Sequence, residues 1–275
     1  MVALPCTLAD WAAVGIVGQV HYGQRARALP YQQAIARKIR QARGVIEAWW
    51  LQVEGQGYVS VSFGKDSLVT WHLAQQVAPI PAAWVNQGPL AEWPDCLALK
   101  ELLVREYGMV LHEVAPDRTL YDAMKHYGVP LSADMSTPED KAINRELLYA
   151  PLARFQTQHR FRGHLWGIRG VAEPHREGVH REILLKSRGL LFQRQDGLWV
   201  GSPVGRWTNR DIWAYIDLYA LPYPAMYDID RASIRNGAPI DPAALNLGRI
   251  RQLHQHFPAM YHLVIAAFPE LARHA

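Results

Sequence analysis

Tyr58-Val59-Ser60-Val61-Ser62-Phe63-Gly64-Lys65-Asp66-Ser67 is the stretch whose reading decides the fold. It begins as a short apolar run, breaks at Ser62 and Gly64, and enters a helical pattern through Leu68, Trp71, His72 and Leu73. That order describes a strand, a tight turn and a helix. The turn brings a lysine, serine hydroxyls, a carboxylate and a glycine to the point where the helix begins. Backbone N–H groups without helical partners and the positive end of the helix dipole make such a place a seat for phosphate. The competing reading is an ordinary connection whose helix is capped by Ser62 or Asp66.

Downstream the pattern alternates. A helix to about Val77 stops before Pro79, and Ala82-Ala83-Trp84-Val85 reads as a second buried strand ending in the loop signal Asn86-Gln87-Gly88-Pro89. A helix from Pro94 to Tyr107 stops at Gly108, and Val110–Val114 makes a third strand. Short strands separated by helices specify right-handed βαβ units and an α/β fold with a doubly wound, mostly parallel sheet. Ligands of such sheets sit beyond the carboxyl ends of the strands. Both Ser62–Ser67 and Asn86–Gly88 fall there, which makes Asn86 a candidate for the adenine or ribose end of a nucleotide.

Helices are expected over 119–127 and 138–158, the second with Thr137 as N-cap and Pro138 at its first position. His164–Ile168 reads as a fourth strand ending at Arg169. Beyond it, Gly167-Ile168-Arg169, Glu173, His175-Arg176 and His180-Arg181 gather cations in a glycine-bearing loop. Arginine's planar fork suits phosphate oxygens, although a solvated basic loop has the same composition. Residues 189–202 form a hairpin signal around Gln195-Asp196-Gly197. Thr208 and Asp211 mark the start of a helix carrying Ile212, Tyr215, Ile216 and Tyr219 on one face.

At the chain's ends, residues 8–20 read as a short helix and 31–53 as a longer one. Ile35, Ile39, Ile46, Trp49 and Trp50 lie near one side of the longer helix, Gly55 and Gly57 end it, and it is expected to cover one edge of the sheet. Residues 242–275 read as two helices separated near Pro258. The organisation expected is a helical segment at 1–55, a nucleotide-binding α/β domain at 56–230 and a C-terminal helical segment at 231–275.

Composition limits the function classes. With 275 residues, 49% of them hydrophobic, the chain can bury a sizeable core. Its net charge of +4 and pI near 9.1 suit anionic ligands and permit nucleic-acid binding. Arg37, Lys38, Arg40 and Arg43 cluster on the N-terminal helix and lean the same way. Two cysteines, Cys6 and Cys96, argue against a disulfide framework. Cys96 follows Trp93-Pro94-Asp95 near a helix start, where a thiolate carrying a persulfide is one reading and a small buried residue the other. His254 and His256, two apart on a helix, face different sides and make a poor metal pair, and no metal-ligating side-chain set stands out. No signal peptide or long apolar run is evident, so a cytoplasmic protein with no membrane contact is expected.

Taken together, these blocks resemble the phosphoadenosine phosphosulfate reductase family of the adenine nucleotide alpha-hydrolase (N-type ATP pyrophosphatase, PP-loop) superfamily. Ser62-x-Gly64-Lys65-Asp66-Ser67 resembles its pyrophosphate loop, and Gly167-Ile168-Arg169 with Arg176 resembles its glycine-x-arginine loop. Pro203–Ile216, Leu221-Pro222 and Tyr227-Asp228 are similar to the blocks that follow. The resemblance implies an adenine nucleotide alpha-hydrolase-like fold binding ATP and Mg²⁺. It implies nucleotide contacts from Ser60, Ser62, Phe63, Gly64, Lys65, Asp66, Ser67, Asn86, Gly167, Ile168 and Arg169. Lys65, Asp66, Arg169 and Arg176 would act on the reacting phosphates.

Reductases of this family carry a catalytic cysteine near the C-terminus, and many ligate an iron–sulfur cluster. Here residues 97–275 contain no cysteine, and Ser233-Ile234-Arg235-Asn236-Gly237 stands where glycine and cysteine are found. Two cysteines cannot supply four cluster ligands, so no iron–sulfur cluster is expected. Val171-Ala172-Glu173-Pro174 replaces a glutamate/glutamine-serine pair, which leaves the second substrate open. The expected activity is an ATP pyrophosphatase that adenylates a substrate in a sulfur-transfer pathway. Members of this branch serve DNA phosphorothioation, with a cysteine desulfurase as sulfur source, or sulfate activation with a GTPase partner. A nucleotide-binding regulatory subunit is a further alternative, and a sulfonucleotide reductase ranks last.

Overall fold

A computed structural model describes residues 17–18, 29–128, 138–170, 188–229, 239 and 248–275. The strands are β1 (Val17–Gly18), β2 (Gly57–Ser60), β3 (Ala82–Val85), β4 (Leu111–Val114), β5 (Gly163–Leu165), β6 (Leu191–Gln193), β7 (Trp199–Gly201) and β8 (Tyr223–Pro224). The helices are α1 (Leu29–Gln52), α2 (Lys65–Gln75), α3 (Pro94–Glu106), α4 (Leu120–Tyr127), α5 (Pro138–Asn144), α6 (Ala150–His159), α7 (Asn209–Tyr219), α8 (Met226–Ile229), α9 (Arg249–His256) and α10 (Pro258–Ala267).

Six strands form one sheet in the order β4-β3-β2-β5-β7-β6, parallel throughout except for the β6–β7 pair. From β2 the chain steps outward through β3 to β4, then returns to place β5 on the other side of β2. The order therefore reverses between β2 and β5, and the loops leaving these two strands lie side by side at the carboxyl edge of the sheet. The doubly wound, mostly parallel α/β fold read from the sequence is the one observed.

Both faces of the sheet are covered, as a parallel sheet requires. Alternation along β2 shows it: Val59 points into the main core, while Tyr58 belongs to a smaller cluster with Ala83, Val114 and Phe155. On that second face α6 supplies Phe155, edge-on to Tyr58 at 5.4 Å, and Gln156, whose amide donates to the Tyr58 hydroxyl at 2.8 Å. Burial pushes the Tyr58 phenol up to about 12, so it stays a neutral hydroxyl.

On the first face lies α1, whose Ile35, Ile39, Ala42, Ile46 and Trp49 are buried at helical spacing, followed by the buried Val53 just past its end. The helix packs across β7 and reaches the edge strand β6, on the side of the sheet away from β4. Glycine on adjacent strands makes room for it: a Cβ at Gly57 would meet the Trp49 ring at 2.4 Å, and one at Gly163 would meet Val53 at 2.8 Å. Gly57 thus begins β2 and does not end α1, whose exit turns at Glu54 and Gly55, both with positive φ. The Trp49 indole N–H donates to the Trp199 carbonyl at 3.2 Å.

Other departures from the sequence reading are local. Val17 and Gly18, expected within a short helix, pair as a strand with Pro224 and Tyr223. The helix expected over 138–158 is interrupted by a wider π turn at Arg145–Tyr149. Its expected cap, Thr137, lies outside the described residues. At the C-terminus a 3₁₀ segment, Pro269–His274, follows the expected pair of helices. Trp93–Phe257 and Tyr121–Phe268 ring contacts pack this end against α3 and α4. Among the described residues no helix is long and apolar enough to cross a membrane.

Candidate functional site

Ser60 ends β2 opposite Ala83, and Val61 adds one more rung by donating to the Ala83 carbonyl at 3.0 Å. The chain then turns. Phe63 adopts φ of +52°, a left-handed conformation uncommon for a bulky residue. Its buried ring is held edge-on to Trp84 at 5.5 Å. The Ser67 hydroxyl closes the turn, accepting from Ser62 N–H at 3.2 Å and donating to the Gly64 carbonyl at 3.0 Å. The Ser62 hydroxyl lies 3.3 Å from it.

Helix α2 starts without a side-chain cap: Gly64 occupies the N-cap position, so neither Ser62 nor Asp66 plays that part. The first N–H groups of any α-helix lack partners within the helix. Here those at Lys65, Asp66 and Ser67 lie at the carboxyl edge of the sheet at the head of an 11-residue helix, with Lys65 N–H donating to the Tyr227 hydroxyl at 3.4 Å.

The Gly167 loop meets this helix end directly. A Cβ at Gly167 would lie 2.7 Å from Ser67 N and 2.8 Å from the Asp66 carbonyl carbon, so the two backbones touch. Beside that contact the Arg169 guanidinium stands 3.1 Å from Asp66 Oδ1, with both side chains largely buried. The Lys65 ammonium is 3.4 Å from Asp66 Oδ2. One carboxylate thus spaces two cations at the carboxyl edge of the sheet. Gly170 N–H donates to the Gly205 carbonyl at 2.7 Å, tying the loop to the segment before α7. Ile168 lies between the two contacts, and Arg176 falls outside the described residues.

Asn86 sits in the neighbouring loop. Its side chain accepts from Gly88 N–H at 3.1 Å and donates to Glu113 Oε2 at 3.2 Å. Burial opposes the Glu113 charge, but Lys100 and Asn86 outweigh it and hold the carboxyl below its ordinary range. Asn86 therefore shapes its own loop while facing the same edge of the sheet.

The chain's distant segments reach the loop in ways no local pattern announces. Cys96 is buried, and its thiol donates to the Phe63 carbonyl at 3.6 Å, which suits the small buried residue over a persulfide carrier. Asp95 is fully buried and accepts from Met226 N–H at 3.1 Å. Lys38, counted among the cations of a polyanion-binding helix, is engaged internally by Asp211, whereas Arg37 and Arg40 are exposed.

Comparison with known proteins bears on family and fold. The family model for the phosphoadenosine phosphosulfate reductase domain matches residues 56–234. A phosphoadenosine 5'-phosphosulfate reductase from Synechococcus sp. is 28% identical over 192 residues, covering 68% of this chain and 76% of the relative. One from Xanthomonas campestris pv. campestris is 26% identical over 195 residues, covering 68% and 73%. Among solved structures, phosphoadenylyl-sulfate reductase from Candida auris, a phosphate complex, superposes with a TM-score of 0.52 at 16% identity. That match covers 75% of this chain and 94% of the other, and it speaks to the fold. The protein is a nucleotide-utilising enzyme of the PP-loop type. It belongs to the phosphoadenosine phosphosulfate reductase family.

Proposed function

We propose that this chain is an ATP pyrophosphatase that adenylates a substrate within a sulfur-transfer pathway. The observation that carries the proposal is the joined pair of loops. An uncapped helix end with Lys65 meets Arg169 through Asp66, and cysteine is absent beyond Cys96. Such a site has cations and amides for phosphate but no thiol placed for reduction. The N–H groups at the start of α2 and the Lys65 ammonium would hold the β- and γ-phosphates. Arg169, spaced from Lys65 by Asp66, would face charge developing at the α-phosphate, with Arg176 assigned the same task from the adjoining segment. An oxygen of the substrate attacks the α-phosphorus, the bond to the bridging oxygen breaks, and pyrophosphate leaves. Positioning and charge compensation are the main requirements of phosphoryl chemistry, so no protein nucleophile is needed.

No group of three metal-ligating side chains occurs among the described residues, and Asp66 is the carboxylate at the loop. That donor set fits Mg²⁺ carried on the nucleotide, which keeps most of its waters and takes one or two carboxylates. When bound, it would neutralise the departing pyrophosphate. For the acceptor, the exposed Arg37 and Arg40 and the basic balance favour a DNA phosphorothioation pathway, with a cysteine desulfurase as partner. Sulfate activation with a GTPase partner and a nucleotide-sensing subunit are the alternatives. A sulfonucleotide substrate is a second reading, supported by the names of the curated relatives.

Incubating the pure protein with ATP, Mg²⁺ and DNA or sulfate separates these readings. Pyrophosphate and an adenylate product or AMP, lost at least about 100-fold in Lys65→Ala, are expected. ATP bound but intact under all conditions would move the protein to the regulatory reading. Turnover of a sulfonucleotide with a thiol donor would restore the reductase reading.

A further inference from the structure

Tyr227 reaches the phosphate seat from 162 residues away in the chain. Its place is fixed by its neighbours: Met226 N–H is bound by the buried Asp95, the Tyr223 hydroxyl donates to Asp228 at 2.9 Å, and the Trp213 ring lies edge-on at 5.6 Å. The Tyr227 hydroxyl accepts from Lys65 N–H at 3.4 Å, and a Cβ on Gly64 would stand 3.4 Å from the same oxygen. The ring of Tyr227 also lies under the Lys65 ammonium, 5.2 Å from its centroid. One side chain therefore attends both anion-seeking groups of Lys65, the backbone amide and the ammonium.

A phenolic hydroxyl can accept from an amide and donate to an anion at once. An oxygen of a pyrophosphate group drawn to Lys65 N–H comes within reach of that O–H. The ring face steadies the ammonium by cation–π attraction and limits where it can point. We propose that Tyr227 is a substrate-contacting residue of this site, donating its hydroxyl to the pyrophosphate group while its ring aims Lys65. The proposal rests on the nucleotide reading above and adds to it a determinant supplied by α8. Hydrogen bonds to charged groups are the strong ones, so removing the hydroxyl has a measurable effect.

The test titrates inorganic pyrophosphate, ATP with Mg²⁺, and adenosine into the full chain by calorimetry. It compares wild type with Tyr227→Phe and Tyr227→Leu, and thermal melts confirm that each variant is folded. Tyr227→Phe is expected to weaken pyrophosphate and ATP binding about ten-fold and to leave adenosine binding unchanged. Tyr227→Leu, which also removes the ring beneath Lys65, weakens the phosphate ligands further. Pyrophosphate affinity equal to wild type in Tyr227→Phe overturns the hydroxyl contact, with the nucleotide reading left standing. Equal affinities of the Phe and Leu variants overturn the role of the ring. Adenosine weakened as much as ATP means that Tyr227 acts through the fold alone, and it overturns the contact. Failure of the wild type to bind either phosphate ligand overturns this proposal and the nucleotide reading together.

Discussion

At Gly167 a single missing side chain decides whether two loops can be one site. The space a Cβ would occupy is bounded by the backbone of Asp66 and Ser67, which cannot swing aside as a flexible side chain would. Gly167→Ala is therefore expected to force the loops apart and to separate Arg169 from Asp66. Calorimetric ATP affinity should fall ten-fold or more, with stability down by about 1–3 kcal/mol, as overpacking costs in a close-packed interior. Wild-type affinity in this variant would show that the loops do not need their contact. Phe63 is the complementary case, a non-glycine residue held at positive φ by the burial of its own ring. Uncommon backbone conformations persist where surrounding packing enforces them, and they gather at functional loops. Lysine, aspartate and arginine could be singled out from their chemistry and spacing. The partnership of Asp66 with both cations could not, because it depends on how β2 and β5 sit side by side.

Among the elements, α7 shows how far local sequence carries. Thr208 and Asp211 signal a helix start, and the structure has the full capping box, with Asp211 N–H donating to the Thr208 hydroxyl at 3.2 Å. Thr208→Ala should lower stability by about 1 kcal/mol in urea unfolding, with the slope of the transition unchanged. β3 was equally legible, since an apolar run bounded by proline and Asn86-Gln87-Gly88 can be little else. β1 was not. Two residues pair there because Tyr223 and Pro224 offer an edge, and so short a pairing leaves no periodicity to read. The π turn at Arg145–Tyr149 was hidden likewise, since one wider turn hardly alters the spacing of apolar positions. Tyr227 lay inside a block whose resemblance was plain, yet its contact with Lys65 exists only once α8 is anchored by Asp95.

For the whole molecule, acid is the condition that the structure marks as destabilising. His164 lies buried in β5, where desolvation pushes its imidazole down to about 4. The unfolded chain takes up that proton near pH 6.5, so between about 6.5 and 4 protons favour the unfolded state. The full loss is on the order of 3 kcal/mol. Asp211 adds a second window. Burial opposes its charge, but Lys38 and Thr208 outweigh this and hold the carboxyl below its ordinary range. Its stabilising effect is present above the unfolded value near 3.9 and fades as pH falls through the lower folded value. Urea unfolding at pH 7.5 and pH 5 should show the His164 part, and His164→Phe should flatten that dependence. A flat wild-type profile would mean that the imidazole is hydrated in the folded protein.

The placement of β5 beside β2 also governs when the protein can become competent. Ser60 and Gly163 belong to neighbouring strands, yet everything that forms β3, β4 and the helices between them lies in the intervening chain. A ribosome releases the lysine-bearing loop long before the arginine that faces it. Pairings so distant in sequence are slow to form, because the entropy of closing the intervening chain must be overcome first. A nascent chain thus carries the Lys65 loop without its Arg169 counterpart while about a hundred further residues are added. Lys65 and Arg169 meet only once β5 has paired with β2.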